Sequence, residues 1–495
     1  MSIPGERMDL EGKQVLVVGL GKSGIAAVRF LLGQGAKVVV SEGGRSLPPA
    51  STTLRWLRER GVYCELGGHS SELFAAVDII ILCPGVPLDL PALAAARQAG
   101  VAIIGELALA PAYLRTPVIA VTGTNGKSTV TTLIGDILQA GGQKVFVGGN
   151  LGTPLCEYLQ GPQDADWAVL EVSSFQLDSA GGFRPRIGLL LNISPDHLDR
   201  YPDYPAYAAA KWRIFAQQQP NDVAIINRDD PEITRLAAAN PVAARVFAFG
   251  GTGEAGPVGN EAQPAGPAAA SRTDSLLRIR LGKDFEAVEK YELAGTELAA
   301  EPNRQNALAA VLAARLAGCP PEAVSRGLES FRPLPHRLAL VAEVDGVRFY
   351  DDSKATNIGA VISALQGLRG PVVLIAGGLD KGGDYRLLLP VLREKVKAMV
   401  LIGSARAKMA AALVEAVPAT SAGDLAEAVR QAYRLAQPGE AVLLSPACAS
   451  FDMFSGYAQR GEVFRRAVRE LARERSGGRG GGEAGSSPGR AAVVA

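Results

Sequence analysis

Val121-Thr122-Gly123-Thr124-Asn125-Gly126-Lys127-Ser128-Thr129 decides how this chain folds and what it can hold. It follows an apolar run, Pro117-Val118-Ile119-Ala120, that reads as a buried strand, and it precedes a helical pattern from Ser128 to Gln139. A strand, a glycine-rich turn and a helix opening on Gly-Lys-Ser form a cradle for a triphosphate. Backbone N–H groups along Gly123, Thr124, Asn125 and Gly126 point at the phosphates, and the helix N-terminus beside Thr129 adds positive potential. Lys127 reaches the terminal phosphates and the Ser128 hydroxyl can sit on Mg²⁺. The common spacing places a glycine five residues before Gly126, where this chain has Val121; glycine appears instead at Gly123. The loop is therefore a variant form. The plain alternative is an ordinary glycine turn with a solvated lysine.

Around this loop the chain has room for about three domains of ordinary size. Its 495 residues are 47% hydrophobic and 20% charged, as in a soluble globular protein. A net charge of +1 excludes the basic field of a nucleic-acid binder. No run approaches the about 18 apolar residues of a membrane span, so no membrane insertion is expected. The first ten residues carry Glu6, Arg7 and Asp9 and no apolar signal core. Five scattered cysteines without CxxC spacing read as reduced thiols in a cytoplasmic protein, expected to be a monomer.

The fold class expected is α/β in three domains. Residues 1–105 form a Rossmann-like domain: a strand Gln14–Val18, a Gly19-Leu20-Gly21-Lys22-Ser23-Gly24 turn, a helix, and a second strand ending near Glu42. Residues 106–333 form a central domain around the phosphate loop. Its strands, such as Trp167–Leu170 and Ile187–Leu191, are continuous apolar runs and imply a mostly parallel sheet. Within it, 250–270 is rich in Gly, Ala and Pro and reads as a mobile surface insertion. Residues 334–475 form a Rossmann-like C-terminal domain, and 476–495 read as a disordered tail.

Several constellations carry chemistry. The GxGxxG turn with Glu42 near the next strand's end suits a dinucleotide enzyme, with Glu42 on the ribose. It equally suits the diphosphate of another nucleotide conjugate, or a turn without ligand. Glu171 ends a buried strand in Glu171-Val172-Ser173-Ser174-Phe175-Gln176, where a Mg²⁺ ligand is needed, or is simply a surface glutamate. His197, in Asn192-Ile193-Ser194-Pro195-Asp196-His197, is one of three histidines and suits a metal or phosphate site as well as a turn. Lys211, alone on a helix, reads by itself as a solvated residue. In the third domain Arg337, Lys354 and Lys381 could supply positive charge for phosphates or a carboxylate. Cys448 has no histidine nearby in sequence to activate it as a nucleophile.

In order along the chain, TGTNGKST, EVSSFQL, NISPDHLDR, AAKWRIF, NRQNALAA, LPHR, DDSKATN, GGLDKGGD and SPACASFD resemble the Mur ligase family over about residues 10 to 470. Within that family the pattern is most similar to its D-glutamate-adding members. The resemblance implies ATP-dependent ligation: ATP phosphorylates the free carboxylate of UDP-N-acetylmuramoyl-L-alanine, and the D-glutamate amine attacks the acyl phosphate. It implies ATP contacts from the loop residues and from Asn303, Asn306, Arg337 and Asp352. It implies Mg²⁺ at two sites, held by Ser128, Glu171, His197 and Lys211, with Lys211 carbamylated. Lys127, His197 and Lys211 would be catalytic. D-Glutamate would be held by Thr356, Lys381, Ser450 and Tyr457 with Lys354 nearby, and the muramoyl-alanine part by Asn150 and Ser173. Lys22 and Ser23 would grip the UDP diphosphate rather than NAD. Tyr457 stands where the family more often has Phe. Ser41-Glu42-Gly43-Gly44-Arg45 departs from the family's acidic-Thr-Arg run at the uracil end. The L-alanine-adding and diamino-acid-adding members and folylpolyglutamate synthetases are the alternatives within the superfamily. The chain lacks a GIGG-type first turn and an Asp-Asn-Pro-Arg motif. A dehydrogenase or a nucleotide-binding module without chemistry is the alternative outside it.

Overall fold

Apolar runs with no polar alternation must bury both faces, and they do so in three separate sheets. The computed structural model describes residues 8–44, 51–198, 200–252, 269–273, 275–281 and 288–477. The first sheet is wholly parallel, in the order Tyr63–Leu66, Lys37–Glu42, Gln14–Val18, Ile79–Leu82, Ala102–Gly105. The strand order reverses at Gln14–Val18, whose neighbours on either side are Lys37–Glu42 and Ile79–Leu82. That reversal opens a crevice at the strands' C-terminal ends, the usual ligand position in such sheets.

The second sheet has nine strands. Their order is Glu289–Glu292, Leu276–Ile279, Ala269–Arg272, Arg245–Thr252, Val223–Asn227, Ile187–Leu190, Val118–Thr122, Trp167–Glu171, Val145–Gly149. Every residue of the central strand Val118–Thr122 is buried. Each such aliphatic side chain stabilises the fold by about 1.5–3 kcal/mol, and a charge at Ile119 would break the layer. The strand runs straight into the phosphate loop and then the helix Lys127–Ala140. Only the two pairings of Leu276–Ile279, with Ala269–Arg272 and with Glu289–Glu292, are antiparallel. The supposed insertion differs from the expectation at its borders, where Arg245–Thr252 and Ala269–Arg272 pair as strands. The rest of it, 253–268, lies outside the described residues, as does the tail from 478.

The third sheet follows the order Ala339–Val344, Val347–Asp351, Ala441–Leu444, Val372–Gly377, Val396–Ile402, Ala419–Ser421, antiparallel only in its first pair. Three adjacent strands of it end in the Asp352-Ser353-Lys354, Ser445-Pro446-Ala447 and Gly378-Leu379-Asp380 loops. By compactness the chain falls into two units. One joins the first two sheets; the other holds the third sheet together with 194–207 and 297–305. Among the described residues no helix is long and apolar enough to cross a membrane.

Candidate active site

Strand register explains why the phosphate loop lacks its early glycine. Val121 lies opposite Glu171 inside the sheet and is fully buried, so it belongs to the strand and not to the turn. The turn proper begins at Gly123. A Cβ there would come within 3.0 Å of Leu191 Cβ. Gly126, at φ 83°, caps the helix in the left-handed conformation that glycine adopts without strain. A Cβ on Gly126 would meet Asn306 Oδ1 at 2.3 Å, so the missing side chain makes room for Asn306.

The loop is pinned by a residue that the sequence pattern did not single out. Asn192 takes the Thr124 N–H on its carbonyl at 2.9 Å and the Asn125 N–H on Oδ1 at 2.8 Å. Its Nδ2 donates to Asn125 O at 3.1 Å. Lys127 Nζ donates to Gly123 O at 2.8 Å and Thr124 O at 2.9 Å. Lys211 Nζ donates to Gly123 O at 2.9 Å and is only 2% exposed. The solvated reading of Lys211 is therefore corrected: its helix carries it inward to the loop. Two lysine nitrogens converge on one carbonyl, and the charge of Lys127 gives this turn a preference for anions.

Ser128 and Glu171 are both buried, on the helix and the strand that flank the loop. Asn150 Nδ2 donates to Glu171 Oε1 at 2.7 Å. Ser173 is engaged locally: it forms a capping box with Gln176 at the start of Ser174–Asp178.

The glycine turn of the first sheet borders a cavity of 480 Å³, lined among others by Lys22, Ser23, Glu42, His69, Cys83 and Asn150. Lys22 Nζ donates to Gly152 O at 2.5 Å. The dinucleotide reading put Glu42 on a ribose. In the structure its carboxylate clamps the turn instead, accepting from Leu20 N at 2.7 Å and Gly44 N at 2.8 Å. Arg45 lies outside the described residues.

In the second unit, Thr356, Lys381, His197 and Asp196 line one small cavity of 20 Å³. Lys381 Nζ meets Asp196 Oδ1 at 3.1 Å, and Asn357 Nδ2 donates to Asp196 Oδ2 at 3.0 Å. Burial would raise the Asp196 carboxyl, but Lys381 and His197 outweigh it and hold it below the usual carboxylate range. His197 has φ 55° and its Nε2 lies 3.5 Å from Asp196 Oδ2. Lys354 Nζ sits 3.9 Å from the centre of the Tyr457 ring. Asp352 is buried, accepting from Ser445 Oγ at 2.9 Å and Leu338 N at 3.1 Å, and burial pushes its carboxyl up to about 7. Arg337 is half-buried, and its charge acts on Asp352 in the opposite sense. Asn303 Nδ2 donates to Glu297 O at 3.3 Å.

Ser450 is buried beside a group the sequence did not flag. Arg460, fully buried, donates to Ser353 O at 2.8 Å, Cys448 O at 3.1 Å and Ala449 O at 3.3 Å. It ties two loops of the third sheet together, and burial lowers its guanidinium to about 10. A fully apolar helix face with one arginine in it is the only sequence signal that could have found it.

The first unit thus gathers Lys127, Ser128, Glu171, Lys211, Asn150 and Asn306 around one loop. The second gathers Thr356, Lys381, His197 and Asp196. Family profiles match for the Mur ligase MurD-like N-terminal domain (13–105), the Mur ligase middle domain (121–314) and the Mur ligase glutamate ligase domain (336–448). The UDP-N-acetylmuramoylalanine--D-glutamate ligase of Acidobacterium capsulatum is 45% identical, covering 93% of this chain and 97% of that protein. Its namesake in Syntrophotalea carbinolica is 43% identical, covering 94% and 99%. Among solved structures, a pseudomurein peptide ligase type C from Methanothermus fervidus has a TM-score of 0.59 at 18% identity, covering 93% of this chain and 100% of that one. The UDP-N-acetylmuramate-alanine ligase of Thermotoga maritima has a TM-score of 0.56 at 17% identity, covering 93% and 100%. These two share the fold.

Proposed function

Because the chain belongs to the Mur ligase family, we propose that it joins D-glutamate to UDP-N-acetylmuramoyl-L-alanine at the expense of ATP, a step of peptidoglycan precursor synthesis. The near-full-length kinship with ligases of that name carries this reading. The phosphate loop with Lys127 and Lys211 on one carbonyl supports its ATP half.

The reaction brings a carboxylate against a γ-phosphate, two anions, so cations must screen the approach. Lys127 is placed for the terminal phosphates once it exchanges its two loop carbonyls for phosphate oxygens. The acyl phosphate formed is then attacked by the D-glutamate amine, and phosphate leaves from the tetrahedral intermediate. Lys381 already holds a carboxylate, that of Asp196, which supports it as the anchor for the D-glutamate side chain. Thr356, Ser450, Tyr457 and Lys354 complete that end. Arg337, Asp352, Asn303 and Asn306 complete the ATP end, and Lys22, Ser23, Asn150 and Ser173 the UDP-sugar end.

Mg²⁺ fits the donor set: Ser128 and Glu171 are buried oxygen ligands flanking a phosphate loop. They would hold one ion and His197 would help hold a second; bound there, Mg²⁺ neutralises charge on the phosphates. Carbamylation of Lys211 also fits. CO₂ adds to the unprotonated amine, and the carbamate N–H can keep the bond to Gly123 O while its oxygens become ligands. The work divides as 1–105 for UDP, 106–333 for ATP and 334–475 for the amino acid, in a cytoplasmic monomer.

Phosphate release should require UDP-N-acetylmuramoyl-L-alanine and D-glutamate together. Equal turnover with L-glutamate or meso-diaminopimelate would assign the chain to another branch of the family.

A further inference from the structure

The 480 Å³ cavity at the first glycine turn contains a histidine with a defined partner chain behind it. Ser41 Oγ lies 2.7 Å from His69 Nδ1 and 2.7 Å from Glu65 Oε2, with Gly68 O at 3.2 Å. Ser41 is fully buried. A hydroxyl has one proton. Glu65 Oε1 and Oε2 each accept from Ser70 N at 3.2 Å; burial would raise this carboxyl, but the bonds from Ser70 and Ser41 outweigh it and keep it ionised. With two acceptors competing for its proton, Ser41 must donate to an oxygen and accept from His69 Nδ1–H. The order Glu–Ser–His is not that of a nucleophilic triad: the serine is the middle link and donates its proton to an oxygen, so the imidazole does not activate it.

That assignment leaves Nε2 of the neutral ring as a hydrogen-bond acceptor. Nε2 has no partner among the described residues. It lies beside Gly43, where a Cβ would come within 2.8 Å of it, so the glycine keeps the nitrogen uncovered. Phe74 holds the ring edge-on, at 5.7 Å between centroids. Phosphates bound at the Gly19–Gly24 turn would sit at the N-terminus of the helix Lys22–Gly33. The end of the second strand, Lys37–Glu42, then faces the nucleoside, as in related nucleotide folds.

We infer that His69 is a specificity-determining residue of this cavity, whose Nε2 accepts the imide N3–H of a uracil base and so selects uridine over cytidine diphosphates. Cytosine presents a lone pair at N3, which would face the lone pair of Nε2. The inference rests on the proposed use of a UDP-linked substrate, and it gives Ser41 and Glu65 the task of fixing the imidazole tautomer.

The test is calorimetric titration of the full-length protein with UDP and with CDP, alongside phosphate release. Wild type should prefer UDP by about tenfold, the scale of one hydrogen bond made or opposed. His69→Ala should bring the ratio near one and raise the KM for UDP-N-acetylmuramoyl-L-alanine, leaving kcat and the KM for ATP in place. Ser41→Ala, which keeps the imidazole but removes the acceptor for Nδ1–H, should lower the ratio more than it lowers UDP affinity. A merely structural role would weaken both nucleotides together. A UDP preference that survives in His69→Ala, or a wild type that releases phosphate normally yet does not prefer UDP, overturns the role of His69 alone. A wild type that releases no phosphate with both substrates overturns the ligase reading instead.

Discussion

Two glycine-rich turns in the same unit solve one problem in different ways. Both follow a central parallel strand, both open a helix, and both carry a lysine that donates to a carbonyl, Lys22 to the distant Gly152 and Lys127 to its own loop. In the first, Gly19 to Gly24, the helix closes hard on the strand: a Cβ on Gly24 would lie 2.0 Å from Gly19 O. In the second, Gly123 to Ser128, the chain swings out through a left-handed Gly126, and full side chains are allowed at Ser128 and Thr129. The clamps differ as well. A carboxylate, Glu42, holds the first turn through Leu20 N; a neutral amide, Asn192, holds the second through Asn125 N. An anion among the amides of a phosphate turn weakens its field, and an amide does not. The second turn also has the side-chain nitrogens of Lys127 and Lys211 on Gly123 O. The tight turn is therefore suited to a modest charge and the wide one to a triphosphate.

That contrast can be broken most forcefully at the two lysines. Lys127→Ala and Lys211→Ala should each lower phosphate release by about a hundred- to thousandfold, the scale of losing one preorganised charge. A short carboxylic acid should restore part of the Lys211→Ala activity and none of the Lys127→Ala activity. Wild-type turnover in either variant would remove the loop's claim to the triphosphate. Next is the clamp. Asn192→Asp gives the wide turn the anion of the tight one, and the KM for ATP should rise by about tenfold; an unchanged KM would mean the clamp's charge is irrelevant. Gly24→Ala should leave ATP binding alone but cost about 1–3 kcal/mol of stability by overpacking, seen as a lower Tm in a thermal melt. The smallest effect belongs to Glu42→Gln. Removing a partly exposed charge should strengthen UDP binding by about twofold, read by the same titration.

The wide turn was legible in the sequence because its parts are contiguous: strand, glycines, Lys127, Ser128. The C-terminal strand ends bearing Glu171, Lys354, Lys381 and Ser450 were legible for the same reason. Asn192, Arg460 and His69 were not, because each acts on a segment that only strand order brings beside it. The dinucleotide alternative put Glu42 on a ribose because spacing gives its position but not its direction. Lys211 looked solvated by composition of its helix and is 2% exposed, since packing of that helix on the loop decides the matter. The antiparallel end of the second sheet escaped notice because Leu276–Ile279 and Glu289–Glu292 are four-residue strands carrying Arg278, Glu289 and Lys290. Short, charged edge strands lack the apolar continuity by which the interior strands declare themselves.

The opposite ends of the strands carry a practical freedom. Chain returns from helix to strand at Gly61, Gly100 and Gly142, each with positive φ, and a Cβ at any of them would meet nothing within 4 Å. These returns are permissive for added chain. A fluorophore-bearing insertion, an affinity tag or a fused domain placed just after one of them would hang from the sheet margin remote from both turns. The protein could thus be decorated for single-molecule or pull-down work without disturbing either cradle.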